Sequence, residues 1–286
     1  VRAVGEQLGA RYVLQGGIRK GASTIRINIQ LIDTQTGAHL WAETYNRSLR
    51  DSDIFAVQDD ITDHVVATVA DIYGVLVRSM AASVEEKPDD ELTAADWVLR
   101  YCGYRQHLTP EEHARLLNGL ERFAEREPKH AAVWACLSQL YSDEFRFRFN
   151  RRPEALDRAL AAARRSVDLD CTCQHGHQNL AQVHFFRRDV PAFRTAADKT
   201  MALNPRNTDA LAEMGLMLVH IGEFERGANI TRRAMDLNPH HGGWYHFSLI
   251  WESCSKGDYE KALEPATRVN MPGMFWQPLV VASLCG

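Results

Sequence analysis

The chain has 286 residues, 45% hydrophobic and 24% charged, and its 33 basic against 37 acidic side chains leave a formal net charge of −4. This is the make-up of a folded protein of about two domains, and the mildly acidic balance argues against nucleic acid as the main partner. No apolar run is long enough to span a bilayer, and six cysteines, mostly at helical positions expected to be buried, point to a reducing compartment such as a cytoplasm.

Val1 to Gly9 has the spacing of a short helix, with Val1, Val4 and Leu8 on one stripe and Gly9 as its stop. Tyr12-Val13-Leu14 then leads into a strand. Ile25, Ile27, Ile29 and Leu31 alternate with Arg26, Asn28 and Gln30, the period of a strand with one buried face. Lys20 to Ser23 and Asp33 to Gly37 are turns, and Ala38 to Tyr45, with Trp41 and Tyr45, makes a third strand of an antiparallel meander. Ser52 or Asp53 can cap a helix whose apolar side is Phe55, Val57, Ile61, Val65 and Val69. Residues 1–75 are thus expected as an α/β unit and 76–91 as a linker.

From residue 92 the period becomes helical. A degenerate unit from Leu92 to Pro128 carries Trp97, Tyr101, Leu116, Leu120 and Phe123. In the next, Trp134, Leu137, Tyr141, Ala159, Ala163 and Ser166 keep a register interrupted by about nine extra residues around Phe145 to Arg152, a lengthened turn between intact helices. Leu180-Ala181, Phe193, Ala197 and Leu203-Asn204-Pro205 form a third. That tripeptide recurs 34 residues later as Leu237-Asn238-Pro239, closing a unit with Gly215, Gly222-Glu223-Phe224, Gly227 and Ala234. Tyr245, Leu249, Gly257-Asp258-Tyr259, Ala262 and Ala266 give another, and Met274-Phe275-Trp276 to Leu284 has the pattern of one further helix.

A period of 34 residues built from paired helices is that of the tetratricopeptide repeat, whose units bury their apolar faces only by stacking. Proline ends each second helix, and Gly215, Ala234 and Ala181 fall where helices cross closely. The expected fold is mainly α: a tetratricopeptide-repeat α-solenoid over 92–286, of about four to five units plus a truncated last helix, behind a small, incomplete amino-terminal α/β domain. Val1 is no start codon and Cys285-Gly286 brings no partner helix, so the sequence is expected to be a fragment.

Several segments resemble a known family: Ala10 to Arg19, Gln30-Leu31-Ile32-Asp33, Thr36-Gly37, Leu40-Trp41-Ala42-Glu43 and Asp53 to Ile61 look like the TolB amino-terminal-like α/β domain. With the long turn at Phe145 to Arg152 and Asn270 to Trp276, the chain resembles the carboxy-terminal half of bacterial class III adenylate cyclases, whose cyclase domain comes first. The resemblance implies a bacterial, cytoplasmic signalling protein and a possible homodimer through the full-length chain. It also implies an earlier strand and helix that this sequence lacks, so one sheet edge is expected to stand unpaired. The same two modules also follow winged-helix DNA-binding domains and protein kinase domains, and a free-standing adaptor is a further alternative.

No phosphate loop, His-Glu-x-x-His helix or Gly-x-Ser-x-Gly elbow occurs, and Asp59-Asp60, adjacent on a helix, point about 100 degrees apart and cannot pair on metal. No catalytic residue and no cofactor is expected. Cys171, Cys173, His175 and His177 are candidate metal ligands by type, but Cys171 fills the slot of the repeat proline and His177 that of a packing residue, so core positions are the preferred reading. Phe145 to Arg152 interleaves rings with guanidinium groups, which could stack bases; closure of the turn onto the solenoid is preferred. Arg164-Arg165 and Arg232-Arg233 are expected on a solvated face, paired with Asp168 and Asp236.

The concave face made by the first helices is the expected binding surface. By register it is lined by His175, Gln178, Gln182, Phe185 and Phe186, then Leu216, Val219 and His220, then Trp244, Phe247 and Trp251. So apolar a groove suits a protein or peptide segment, from a partner or from the same protein. A non-catalytic regulatory and interaction region is the function expected.

Overall fold

The computed structural model describes residues 1–48, 54–70, 74–271 and 276–285. The cap expected at Ser52 or Asp53 and the residues Met274 and Phe275 lie outside them.

The chain opens with α1 (Arg2–Leu8), ended by Gly9 in the left-handed region at φ 62. Only glycine fits at Gly5, where a Cβ would lie 2.5 Å from Thr34. Next come β1 (Tyr12–Lys20), β2 (Thr24–Asp33) and β3 (His39–Ser48), an antiparallel sheet in the order β1-β2-β3. Asp33 fixes the second turn by accepting the N–H of Gln35 and Thr36 at 2.8 and 3.1 Å. The helix α2 (Ile54–Ala70) lays Val57, Ile61, Val65 and Val69 on Ile25, Leu31 and Tyr45. Arg47 holds it to β3 through Asp60 at 2.8 Å, and His64 meets the Tyr45 ring edge-on.

Anchored to β3, α2 leaves most of β1 uncovered beyond its first residues. Leu14 opposes Leu31 and Ile18 opposes Ile27, so both point to the helix-covered face, yet they are 51% and 69% exposed. The stripe on α1 is exposed as well: Leu8 is 73% open. Phe55, expected on the apolar side of α2, is 69% exposed, because it falls nearly opposite the Val57–Ile61 stripe on the helical wheel.

The stretch expected as a linker contains α3 (Val75–Val84), which buries Ala81 and Val84. Tyr12 Oη lies 3.3 Å from Ser79 Oγ, and Arg100 donates to the carbonyls of Val84 and Glu85, so α3 is tied to both the sheet and the first repeat.

Five antiparallel pairs follow: α4 (Ala94–His107) with α5 (Pro110–Arg126), α6 (Ala131–Arg146) with α7 (Ala155–Leu169), α8 (Gln174–Phe186) with α9 (Val190–Leu203), α10 (Thr208–His220) with α11 (Phe224–Leu237), and α12 (His246–Ser255) with α13 (Tyr259–Arg268); α14 (Trp276–Cys285) packs on the last. Thr93, Thr109, Asp189, Asn207 and Asp258 cap their helices with side-chain oxygens. The recurring Asn-Pro has one structural role in both repeats. Asn204 Oδ1 accepts from Arg206 N at 3.1 Å and Asn238 Oδ1 from His240 N at 3.0 Å, turning the chain toward the next unit. Asp170-Cys171-Thr172 makes the same turn, with Asp170 Oδ1 accepting from Thr172 N at 2.8 Å. At the α10–α11 crossing a Cβ on Gly227 would lie 2.3 Å from Gly215 O, so the backbones meet where no side chain fits.

The lengthened turn, residues 147–154, bends through left-handed backbone at Arg148, Asn150 and Glu154. It folds onto the solenoid: Phe149 packs against His113, and Asn150 Nδ2 donates to Pro110 O at 2.6 Å. Arg152 and Arg158 converge on the buried carboxylate of Glu144.

Candidate partner-binding groove

The concave side of the stack holds a cavity of about 270 Å³. One wall comes from α10, α12 and the short turn that precedes α12: Leu216, Met217, His220, Trp244, Phe247 and Trp251. Met271 and Val280 close its end, Arg105, Leu108, Asp143, Arg146 and Phe147 form the facing wall, and Glu213 also reaches it. Local sequence explains the placement. Gly243 sits against the returning backbone, where a Cβ would lie 2.4 Å from Asn270 N, so the chain can pass there and seat Met271. Leu108, at the end of α4, is held at φ 49, a conformation that costs a non-glycine residue about 1–2 kcal/mol.

A row of rings continues from this cavity along the groove. Phe145 lies 5.4 Å from Phe186, Phe186 5.5 Å from Phe185, Phe185 6.2 Å from His220, and His220 6.4 Å from Trp251. Every member is at least partly open to solvent, Phe145 by 48% and Trp251 by 37%.

Below the rings lies a buried polar layer. Gln178 and Gln182 both donate to Glu213, at 2.5 and 2.8 Å. Tyr104 Oη and Gln139 Nε2 donate to Asp143 at 2.9 and 3.0 Å, and Arg105 donates to Asp209 at 3.2 Å. Burial pushes the Asp143 carboxyl above its ordinary pKa, against the pull of Arg146 and Arg105. His175 packs at a tilt against Tyr101, with Nε2 3.3 Å from the hydroxyl, and burial together with Arg105 lowers its pKa to about 4.

Of the residues expected to line the groove, Leu216, His220, Trp244, Phe247 and Trp251 share one cavity, and Phe185 and Phe186 extend it. Gln178, Gln182 and Val219 lie beneath it instead: the next repeat supplies the glutamines with a carboxylate, and Val219 is buried at the close α10–α11 crossing within its own repeat. His175 belongs to the same inner layer. Sequence register missed Arg105, Leu108, Asp143, Arg146, Phe147, Glu213, Met217, Met271 and Val280, which come from the ends of α4 and α6, the long turn, α10, the segment after α13 and α14. The alternating rings and guanidinium groups near Phe145 were the visible signal for two of them. A more polar cleft of about 480 Å³ lies apart from this groove, among α3, α4 and α5 beside Arg78, Trp97 and Arg115.

Cys171, Cys173, His175 and His177 do not converge. His177 Nε2 is 3.0 Å from the Cys171 carbonyl, Cys173 Sγ accepts from Ser166 and His175 faces Tyr101. Among the described residues no three such side chains form a group fit for a metal ion. The cysteines are also less buried than expected: Cys136 is buried, Cys102, Cys173 and Cys254 are half-buried, and Cys171 is exposed at its turn. Arg232 pairs with Glu252 of the next unit, and Arg233 donates to Pro205 O, so neither meets the expected Asp236. No helix among the described residues is long and apolar enough to cross a membrane.

No family model matches the sequence. A protein of Rhizobium meliloti (strain 1021) named "Putative adenylate cyclase 3" is 36% identical over 186 residues, 63% of this chain; the match spans about 30% of that protein's length. A solved tetratricopeptide-repeat protein of Thermus thermophilus, 15% identical, superposes on 61% of this chain and 91% of its own with a TM-score of 0.51. The chain folds as a tetratricopeptide-repeat α-solenoid carrying a small three-stranded sheet near its amino terminus.

Proposed function

We propose that this chain is the non-catalytic regulatory and protein-interaction region of a cytoplasmic bacterial signalling protein, attached to an upstream adenylate cyclase domain. Residues 1–75 are a partial TolB amino-terminal-like α/β domain in this reading, 76–91 a connection and 92–286 the repeats. The observation that carries it is the groove itself: five partly exposed rings in series, leading into an apolar cavity with two tryptophans. Contiguous exposed apolar surface of this kind marks an interaction site, and ring spacings near the rise of one helical turn, about 5.4 Å, suit an apolar helix from a partner or from the same protein. The similarity to the Rhizobium meliloti protein supports the cyclase association.

The experiment is a binding titration with an amphipathic helical peptide carrying one apolar stripe. Truncating central aromatic anchors typically costs about 2 kcal/mol or more, so Trp244→Ala with Trp251→Ala is expected to weaken binding at least tenfold. Equal affinity for the double variant and the parent protein would sink the proposal.

A further inference from the structure

Arg146 ends α6 at the edge of the groove and lines its cavity. Its guanidinium lies over the Phe147 ring at 4.8 Å and forms a long ion pair with Glu213 at 3.9 Å, beyond hydrogen-bond distance. An arginine carries five N–H donors in a planar fork suited to a carboxylate. The carboxylates that face it are already supplied: Glu213 by Gln178 and Gln182, Asp143 by Tyr104 and Gln139, and Asp209 by Arg105, the other cation of this wall. All three acids are buried, whereas 38% of the Arg146 side chain is open to solvent. Arg105, Asp143, Arg146 and Glu213 all line the cavity, and of these four charged side chains Arg146 is the one most open to an incoming partner, beside an apolar wall.

We infer that the groove selects an acidic amphipathic helix, one whose apolar stripe lies on the ring row and whose aspartate or glutamate, beside that stripe, is gripped by Arg146. The ring row starts at Phe145, next to Arg146, so stripe and carboxylate are read at adjacent points. This inference rests on the groove being a partner site, and adds which partner it prefers.

The probes are alanine-based helical peptides of about 20 residues, long enough to cover the ring row. One has a leucine stripe with a glutamate a turn beyond each end, the second has glutamine in place of both glutamates, and the third is a scramble of the first. Each is titrated calorimetrically into the protein, Arg146→Gln and Arg146→Lys, with circular dichroism confirming that the variants fold. The glutamate peptide is expected to bind about tenfold tighter than its glutamine counterpart, the scale of a charge-assisted hydrogen bond. That preference should vanish in Arg146→Gln and be partly kept in Arg146→Lys. Equal binding of the two striped peptides by the unaltered protein, or a preference that survives Arg146→Gln, overturns this inference alone. Failure to tell striped from scrambled peptides overturns the partner-site reading beneath it.

Discussion

At Gly215 a single hydrogen atom decides the packing of two helices. A Cβ there would lie 2.4 Å from Thr231 Oγ1 and 2.7 Å from Gly227 O, and the second neighbour is backbone that cannot swing aside. Gly215→Ala is expected to destabilise the protein by about 3 kcal/mol, as overpacking of a tight core does, read as a lowered denaturant midpoint. His175 supplies a pH dependence. Its pKa falls from 6.5 to about 4 on folding, so the neutral form is favoured in the folded state and its contribution is fully present above pH 6.5. As pH falls from 6.5 toward 4 the unfolded chain binds the proton first and that stability is lost, at most about 3 kcal/mol. His246, also lowered to about 4, adds in the same direction. Denaturant titrations across this range should show a shallower acid loss for His175→Phe than for the parent protein.

Among the elements, the long turn between α6 and α7 is held by an asymmetric charge cluster. Glu144 is fully buried, while Arg152 and Arg158 remain 39% and 27% exposed and also lie over the Tyr141 ring. Replacing both arginines by alanine strands a buried carboxylate, expected to cost about 3–5 kcal/mol, whereas Glu144→Gln leaves two arginines that water can reach and should cost closer to about 1 kcal/mol. Thermal melts of the two variants test that order. The repeats themselves were legible because Asn204-Pro205 and Asn238-Pro239 make identical local turns at a fixed period. The burial of Gln178 and Gln182 was not, since it depends on Glu213 one repeat away, a contact that spacing along one helix cannot reveal. The helix α3 does carry a signal within the expected linker: Val77, Ala81 and Val84 recur at helical spacing. The path of residues 147–154 left little trace, because of its three left-handed residues only Asn150 is of a type that favours that conformation, whereas Arg148 and Glu154 rarely adopt it.

On the scale of the whole molecule, the sheet end and the solenoid present different surfaces. The uncovered face at Leu14 and Ile18 borders the outer edge of β1, the kind of surface that draws chains together. Residues 1–286 are expected to self-associate with rising concentration, and Ile18→Lys, at a site 69% exposed, should reduce this in light scattering without lowering the melting temperature. The same polypeptide is expected to form no cyclic AMP from ATP. Partner binding in the groove is tested most directly by hydrogen–deuterium exchange with and without the leucine-striped glutamate peptide. Slower exchange at the end of α6, the second half of α10 and α12 is the predicted result. Protection confined to the amino-terminal sheet, or none in those three helices at saturating peptide, would contradict it.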